Sequence, residues 1–239
     1  MKLPNKRVLL KISGEQLAGS HGFGIDPEVA RYFANELKSL READIQVIVI
    51  VGGGNMVRGK TLAGESQIKR VTADQMGMLS GLMNAMALTD IFEAEGLPTR
   101  CLSNVYVEQL AESFSFRLAE KHLQKGRVLL VAGGTGRPYS THDTAAVLTG
   151  LELDCDLVMK ATKYDGVYDD DPAVNPQASK QSQLSFQSAI ENQKINVMDK
   201  AAMGLAMEHK MTVVVFDAMK PGNTLLSAQG TTTGTTIQS

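Results

Sequence analysis

Glycine-rich loops next to basic side chains are the part of this sequence that can do chemistry. From Val128 to Asp143 an apolar run stops in Gly133, Gly134 and Gly136 before a second apolar segment begins. Glycines let a backbone turn sharply and bring its N–H groups close to a ligand. The next segment, which Asp143 caps or nearly caps, favours a phosphate at its amino end. The stretch predicts an anion-binding loop, and the alternative is a glycine-rich turn without a ligand.

A second cluster, Gly52 to Gly54, follows the buried strand pattern of Gln46 to Val51. Two strands that both end in glycines predict one site at the carboxyl edge of a parallel sheet. Neither cluster has the spacing of a P-loop or of the dinucleotide fingerprint. Two phosphate-binding loops instead indicate two phosphorylated ligands that face each other, as phosphoryl transfer requires.

Four cations end or follow predicted strands, namely Lys11, Arg58, Lys160 and Lys163. A lysine inside an apolar strand is costly to bury unpaired, so we expect Lys11 near the end of its strand with its ammonium group in a cleft. The alternative is a lysine that extends to solvent from an edge strand. The acidic loop around Asp165 and Asp169 lacks the spacing of a calcium-binding loop, and it could also be a solvated surface loop.

The elements that position these residues alternate between strand and helix. Strands are expected at 7–15, 46–51, 99–102, 128–132, 156–160 and 211–216, and the threonine-rich end, 230–237, is expected to add an edge strand. Helices are expected after Asp26-Pro27 and at about 71–94, 115–124, 144–151, 197–202 and 222–226. This alternation predicts the α/β class, a three-layer αβα sandwich with a mostly parallel central sheet, in a single domain spanning 1–239.

Composition excludes several classes of function. The chain has 239 residues, 43% hydrophobic content and a net charge of −2, and neither a basic stripe for nucleic acid nor a membrane-spanning run is present. We therefore expect a cytoplasmic protein. Cys101 and Cys155 are isolated, which argues against a metal site or a disulfide framework and favours two small core residues.

The predicted helix at 71–94 carries two further features. Its methionines, Met76, Met78, Met83 and Met86, are typical of an adaptable core or a subunit interface. Asp74 is either a first-turn carboxylate favoured by the helix dipole or a side chain that projects into the cleft.

Several short motifs together resemble those of the bacterial UMP kinases, which have the amino acid kinase fold. They are Lys-Ile-Ser-Gly-Glu at 11–15, Gly-Gly-Gly-Asn-x-x-Arg-Gly at 52–59, Ala-Asp-Gln-Met-Gly-Met at 73–78, Gly-Thr-Gly-x-Pro at 134–138, Lys-Ala-Thr-Lys-x-Asp-Gly-Val-Tyr at 160–168, Val-Met-Asp at 197–199 and Gly-Thr-x-Ile at 234–237.

This resemblance implies transfer of the γ-phosphoryl group of ATP to UMP, with Mg²⁺ bound through the ATP phosphates. It also implies a homohexamer that GTP activates and UTP inhibits. Residues that match the family's GTP activation segment are Gly19, Ser20, His21, Gly22, Phe23 and Gly24. The ATP side matches Lys11, Ile12, Ser13, Gly14, Gly54, Arg58, Thr162, Tyr168 and Asp171. The UMP side matches Gly53, Asp74, Thr135, Gly136, Arg137, Pro138, Tyr139, Ser140, Thr141 and His142.

For this reaction the acceptor is a phosphate oxygen that is already anionic near neutral pH, because its second pKa is about 6. No strong general base is required, so catalysis depends on alignment and charge neutralisation. We expect Lys11 and Lys160 to act on the transferring phosphoryl group and its bridging oxygen. Asp143 is expected to orient a lysine or a magnesium-bound water.

Two positions depart from the family pattern. His142 stands where relatives usually carry threonine or serine, and an imidazole there would make UMP affinity depend on pH near its ordinary pKa of about 6.5. Asp170 replaces a small residue and has no role that the sequence explains.

Two other functions remain open at this point. One is a phosphotransferase of the same fold that acts on a carboxylate or carbamate such as acetylglutamate. The other is a regulator that binds UMP or UTP without catalysis.

Overall fold

The computed structural model describes residues 6–57, 67–195, 197–231 and 234–239. Within these ranges the strands are β1 (Arg7–Ile12), β2 (Gln46–Val51), β3 (Thr99–Ser103), β4 (Glu112–Ser113), β5 (Val128–Ala132), β6 (Leu157–Thr162), β7 (Val167–Tyr168), β8 (Lys180–Gln181), β9 (Gln183–Ser185), β10 (Val213–Asp217) and β11 (Thr235–Gln238). The helices are α1 (Gly14–Leu17), α2 (Pro27–Glu42), α3 (Arg70–Ala94), α4 (Phe116–Gln124), α5 (His142–Glu152), α6 (Phe186–Glu191), α7 (Lys200–Glu208) and α8 (Asn223–Ala228).

One nine-stranded sheet runs through the described residues in the order β4-β3-β5-β2-β1-β6-β10-β11-β9. Its pairings are parallel with the exception of β10 with β11. The prediction of a mostly parallel sheet is therefore confirmed. In the same ranges, no helix is long and apolar enough to cross a membrane.

Helices cover both faces of this sheet. Successive strand residues point to opposite faces, so Leu10 and Val49 pack with α2, α3 and α8, whereas Leu9 and Ile48 pack with α4, α5, α6 and α7. Each face has its own cluster of fully buried aliphatic and aromatic side chains. The three-layer αβα arrangement predicted from the alternating pattern is confirmed.

The carboxyl end of β1 is the point where the two halves of the sheet meet. β1 lies between β2 and β6, and Lys11 is registered directly beside Lys160. Lys11 is therefore not on an edge strand. The glycine loops after β2 and β5 open at this same end, as ligand sites do in parallel α/β sheets.

The carboxyl-terminal strand was expected at the edge of the sheet, and that expectation is wrong. β11 lies between β10 and β9, and Ile237 is fully buried there. The outer position is taken by β9, from a Gln- and Ser-rich segment whose sequence shows no strand pattern. This segment forms a strand because it pairs with β11, and not because of a strand pattern in its own sequence.

The two cysteines and the methionines of α3 lie partly as expected. Cys155 is buried, while Cys101 is only partly buried. Met78 is buried, but Met83 is 55% exposed. One side of α3 therefore leaves apolar surface uncovered in the single chain.

A buried pair of amides fixes the first glycine loop to α3. The Asn84 side chain donates to the Gly52 carbonyl at 2.8 Å and to Asn55 Oδ1 at 2.7 Å, and Asn55 Nδ2 donates back to Asn84 Oδ1 at 2.9 Å. Asn84 is fully buried and Asn55 nearly so. Without these bonds the loop would bury polar groups that have no partner.

We predict that Asn84→Ala lowers the free energy of unfolding by on the order of 1–3 kcal/mol, because it leaves buried polar partners unsatisfied. Urea denaturation measures the change. The matched control is Asn35→Ala on the exposed side of α2, where a change within about 0.5 kcal/mol is expected. Equal stability of the two variants would show that the amide pair does not hold the loop.

Candidate active site

An ion-paired group of three side chains lies at the carboxyl end of β1 and β6. Lys11 Nζ is 2.9 Å from Asp143 Oδ1, and Lys160 Nζ donates to Asp143 Oδ2 at 2.7 Å. Lys160 also donates to the Val197 carbonyl. The three side chains are between 12 and 14% exposed. The structure thus brings together the three residues expected to be catalytic, while their roles remain a prediction.

The charges of this group depend on one another. Burial alone would raise the pKa of the Asp143 carboxyl, but Lys11 and Lys160 outweigh burial and lower this pKa to about 2. Burial lowers the pKa of Lys160, and Asp143 opposes that effect. Asp143 is therefore ionised throughout the neutral range, with an ammonium group within 2.9 Å of each oxygen.

Asp143 is the second residue of α5 and not its N-cap, so it nearly caps the helix, which is one of the two expected positions. The cap of α5 is Thr141, whose hydroxyl accepts from the backbone N–H groups of Asp143 at 3.0 Å and Thr144 at 3.3 Å. Because Thr141 accepts from these N–H groups, the Asp143 carboxylate is available to the lysines.

The turn after β1 packs directly against the first glycine loop. Ser13 caps α1 and forms a capping box with Gln16. A Cβ on Gly14 would lie 2.6 Å from the Gly52 carbonyl oxygen and 2.7 Å from the Gly54 nitrogen. Only glycine fits this contact, so the predicted ATP-side residues Ser13, Gly14 and Gly54 do come together beside Lys11.

The predicted acceptor-side residues lie between α3 and α5. Asp74 accepts from Arg70 Nε at 2.7 Å and from the Tyr139 backbone N–H at 2.8 Å. It is thus more than a first-turn carboxylate, because it connects α3 to the loop from Thr135 to Thr141. On the other side of that loop the Thr141 hydroxyl donates to Asp199.

The other predicted members of the acceptor side follow the same loop. Gly53 lies against α3, where a Cβ would be 2.6 Å from the Gly77 carbonyl oxygen. Gly136 and Tyr139 have positive φ angles of 70° and 62°, and the Arg70 guanidinium lies 5.4 Å from the Tyr139 ring centroid. The Ser140 hydroxyl is buried without a hydrogen-bond partner in the described residues.

The His142 imidazole does not behave as expected. Burial, assisted by the positive charge of Lys11, lowers its pKa to about 4, with Asp143 opposing. The ring is therefore neutral near pH 6.5, which argues against a pH dependence of UMP affinity around that value.

A cavity of about 360 Å³ opens next to Lys160 on the predicted ATP side. Thr162, Tyr168 and Asp171, which the resemblance assigned to the ATP side, line it. The Thr162 hydroxyl donates to the Tyr164 carbonyl at 2.6 Å, and the Tyr168 hydroxyl donates to Asp165 at 2.7 Å. These bonds shape the wall of the cavity.

Two sets of contacts near the site were not predicted from the sequence. Lys194 lines the cavity and pairs with Asp170 at 2.8 Å, which gives Asp170 a partner. Asp199 caps α7 and accepts from the hydroxyls of Thr141 and Thr144, so it joins the amino ends of α5 and α7. The Val-Met-Asp motif was the available signal for Asp199, whereas nothing local indicated the Asp170–Lys194 pair.

The remaining predicted residues are Lys163, Arg58 and the loop from Gly19 to Gly24. Lys163 lies 5.3 Å from the Tyr164 ring and is exposed, outside the cavity lining. Arg58 falls outside the described residues. In the loop from Gly19 to Gly24, Phe23 is 68% exposed and the Gly24 carbonyl accepts from Asn55 at 2.6 Å. That loop therefore contacts the buried amide pair beneath the first glycine loop.

We predict that Asp143→Asn lowers the free energy of unfolding by on the order of 3 kcal/mol at neutral pH, because two ammonium groups lose their counter-charge. A carboxyl whose pKa is lowered stabilises the fold above its ordinary pKa near 3.9, and that stabilisation is lost as pH falls towards about 2. The difference from wild type should be constant from pH 5 to 8 and shrink below pH 4. Denaturation across this range measures it, and a difference that vanishes by pH 6 would contradict the assigned charges.

Known proteins of similar sequence and fold identify the family of this chain. The sequence model of the amino acid kinase family matches residues 6–217. A uridylate kinase from Aliarcobacter butzleri is 45% identical over 95% of this chain and 96% of its own length, and one from Wolinella succinogenes is 43% identical over 96% and 95%. The crystal structure of UMP kinase from Bacillus anthracis superposes with a TM-score of 0.93 at 32% identity, covering 98% of this chain and 96% of that one. The chain therefore belongs to the amino acid kinase family and groups there with the uridylate kinases.

Proposed function

We propose that this protein transfers the γ-phosphoryl group of ATP to UMP and produces ADP and UDP. The observation that carries the proposal is the registered pair Lys11 and Lys160, held by Asp143 at the end of the sheet where the two glycine loops open. The relatives named as uridylate kinases support UMP as the acceptor. The cavity beside Lys160 supports a donor nucleotide on that side.

In this reaction an oxygen of the UMP phosphate attacks the γ-phosphorus of ATP, and the bond from that phosphorus to the β–γ bridging oxygen breaks. The electrons of that bond go to ADP, and no proton transfer is needed because the acceptor is anionic. Charge builds on the transferring group and on the bridging oxygen. Lys11 and Lys160 neutralise this charge.

Asp143 acts as a positioning residue and not as a base. Its lowered pKa and its two ion pairs make it a poor proton acceptor. It holds two like charges side by side in a geometry that they would not adopt alone. When phosphates bind, each ammonium group can donate a hydrogen bond to a phosphate oxygen and still keep its ion pair with Asp143.

We further place Mg²⁺ on the phosphates of ATP. This ion prefers oxygen ligands and commonly binds through substrate phosphates, and Asp143, whose oxygens pair with the lysines, would orient a water molecule bound to it. Bound there, the ion would neutralise charge on the phosphates.

Regulation and assembly are carried over from the family as parts of the same proposal. GTP would activate through the loop from Gly19 to Gly24, whose contact with Asn55 gives it a route to the first glycine loop. UTP would inhibit. Assembly into a homohexamer in the cytoplasm would cover apolar side chains such as Leu79 and Met83, which are 45 and 55% exposed.

We predict that the purified protein releases ADP from magnesium-ATP when UMP is added, measured by a coupled assay. Parallel reactions contain CMP or acetylglutamate in place of UMP, and all are repeated with GTP and with UTP. Turnover specific for UMP supports the proposal, and faster turnover with GTP and slower turnover with UTP support the regulatory part. Turnover with acetylglutamate alone would assign the chain to a sister kinase, and binding of UMP without turnover would assign it to a nucleotide sensor.

We predict that Lys11→Ala lowers kcat about 10²- to 10³-fold, the usual effect of removing one group that stabilises charge in a transition state. Asp143→Asn should also lower kcat, with little change in UMP binding. Lys38→Ala, at an ion pair with Glu95 on the surface of α2, is the matched control and should retain wild-type kcat. Near-normal turnover of Lys11→Ala, or an equal loss of UMP affinity in Asp143→Asn, would remove the corresponding residue from its assigned role.

A further inference from the structure

The imidazole of His142 is packed against a glycine of the neighbouring helix. A Cβ on Gly81 of α3 would lie 2.7 Å from His142 Nε2 and 3.2 Å from the Val51 carbonyl oxygen. Real side chains do not approach that closely, so position 81 must be glycine while the ring stays where it is. Glycine is unfavourable inside a helix, and the glycine here leaves room for this ring and for the Val51 carbonyl.

The packing also distinguishes the two ring nitrogens. Nε2 is shielded from solvent and has no hydrogen-bond partner among the described residues, whereas Nδ1 is not shielded in this way. A neutral imidazole carries one N–H, and buried N–H groups without a partner are rarer than buried acceptors without one. The favoured tautomer therefore keeps the proton on Nδ1.

The charged groups around the ring leave it neutral. Lys11 on β1 and Asp143 on α5 are the charged neighbours, and burial has the larger effect on the pKa than either. A neutral donor next to Lys11 adds a hydrogen bond without adding a third positive charge.

We propose that Gly81 positions the His142 ring so that its Nδ1–H donates a hydrogen bond to the phosphate of the acceptor nucleotide. This inference rests on the proposed function, since it assigns a contact to the UMP phosphate. Gly81 and His142 thereby form a matched pair, in which a helix glycine accommodates a ring that takes the place of a hydroxyl.

Nuclear magnetic resonance of ¹⁵N-histidine protein tests the tautomer directly. The chain has four histidines, and the His142 signals are assigned by their loss in His142→Asn. We expect a neutral ring protonated on Nδ1 at pH 6.5 to 7.5, with an Nδ1 shift on addition of UMP but not of uridine. An Nε2–H tautomer, an imidazolium ring, or no response to UMP would overturn the inference.

Steady-state kinetics of His142 variants test whether Nδ1–H donates to the UMP phosphate. An asparagine amide nitrogen can replace Nδ1, so His142→Asn should keep KM for UMP within about threefold. His142→Leu removes the donor to a charged group and should raise this KM about tenfold with a smaller change in kcat. A normal KM in His142→Leu would overturn the inference and leave UMP phosphorylation standing, whereas no turnover of UMP by the wild-type protein would overturn both.

A double-mutant cycle tests the role of Gly81. Gly81→Ala should raise KM for UMP and lower Tm. The matched control is Gly204→Ala in α7, where nothing lies within 4 Å of the added Cβ. This control should neither raise KM for UMP nor lower Tm. In the His142→Asn background the smaller side chain leaves room, so Gly81→Ala should lose most of its effect on Tm. Equal effects of Gly81→Ala in both backgrounds would show that the glycine does not position the imidazole.

Discussion

The structure depends on keeping two lysines side by side in the middle of a sheet. Parallel pairing of β1 with β6 sets Lys11 and Lys160 in register, and their side chains are largely buried. Like charges directly opposite each other destabilise a sheet, so this arrangement requires a carboxylate that reaches both. Asp143 meets that requirement only because α5 begins directly above the ends of these strands.

The surrounding elements place α5 with the necessary accuracy. Asp199 connects the amino ends of α5 and α7 through two threonine hydroxyls. Asp74 holds the loop that leads into α5, and the Asn55–Asn84 pair holds the other glycine loop against α3. A phosphate-binding site built from backbone N–H groups works only if its loops are rigid, and these polar contacts supply the rigidity.

Local patterns predicted most of the regular elements and the lysines at the ends of strands. The apolar runs of β1, β2, β5 and β6 are continuous because both faces of the sheet are covered. Patterns failed where partners lie far apart in the sequence. β11 is positioned by pairing with β10 and β9, and Asp170 forms an ion pair with Lys194, which is 24 residues away in the sequence.

The sequence by itself determined the α/β class, the two glycine loops, and the presence of Lys11, Asp143 and Lys160 at element ends, because strand periodicity and turn residues act over a few neighbours. Tertiary structure alone decided that Lys11 and Lys160 share a register, that Asp143 bridges them, and that His142 is neutral against Gly81. These are properties of distances between elements, and burial and charge become defined only when those distances are set.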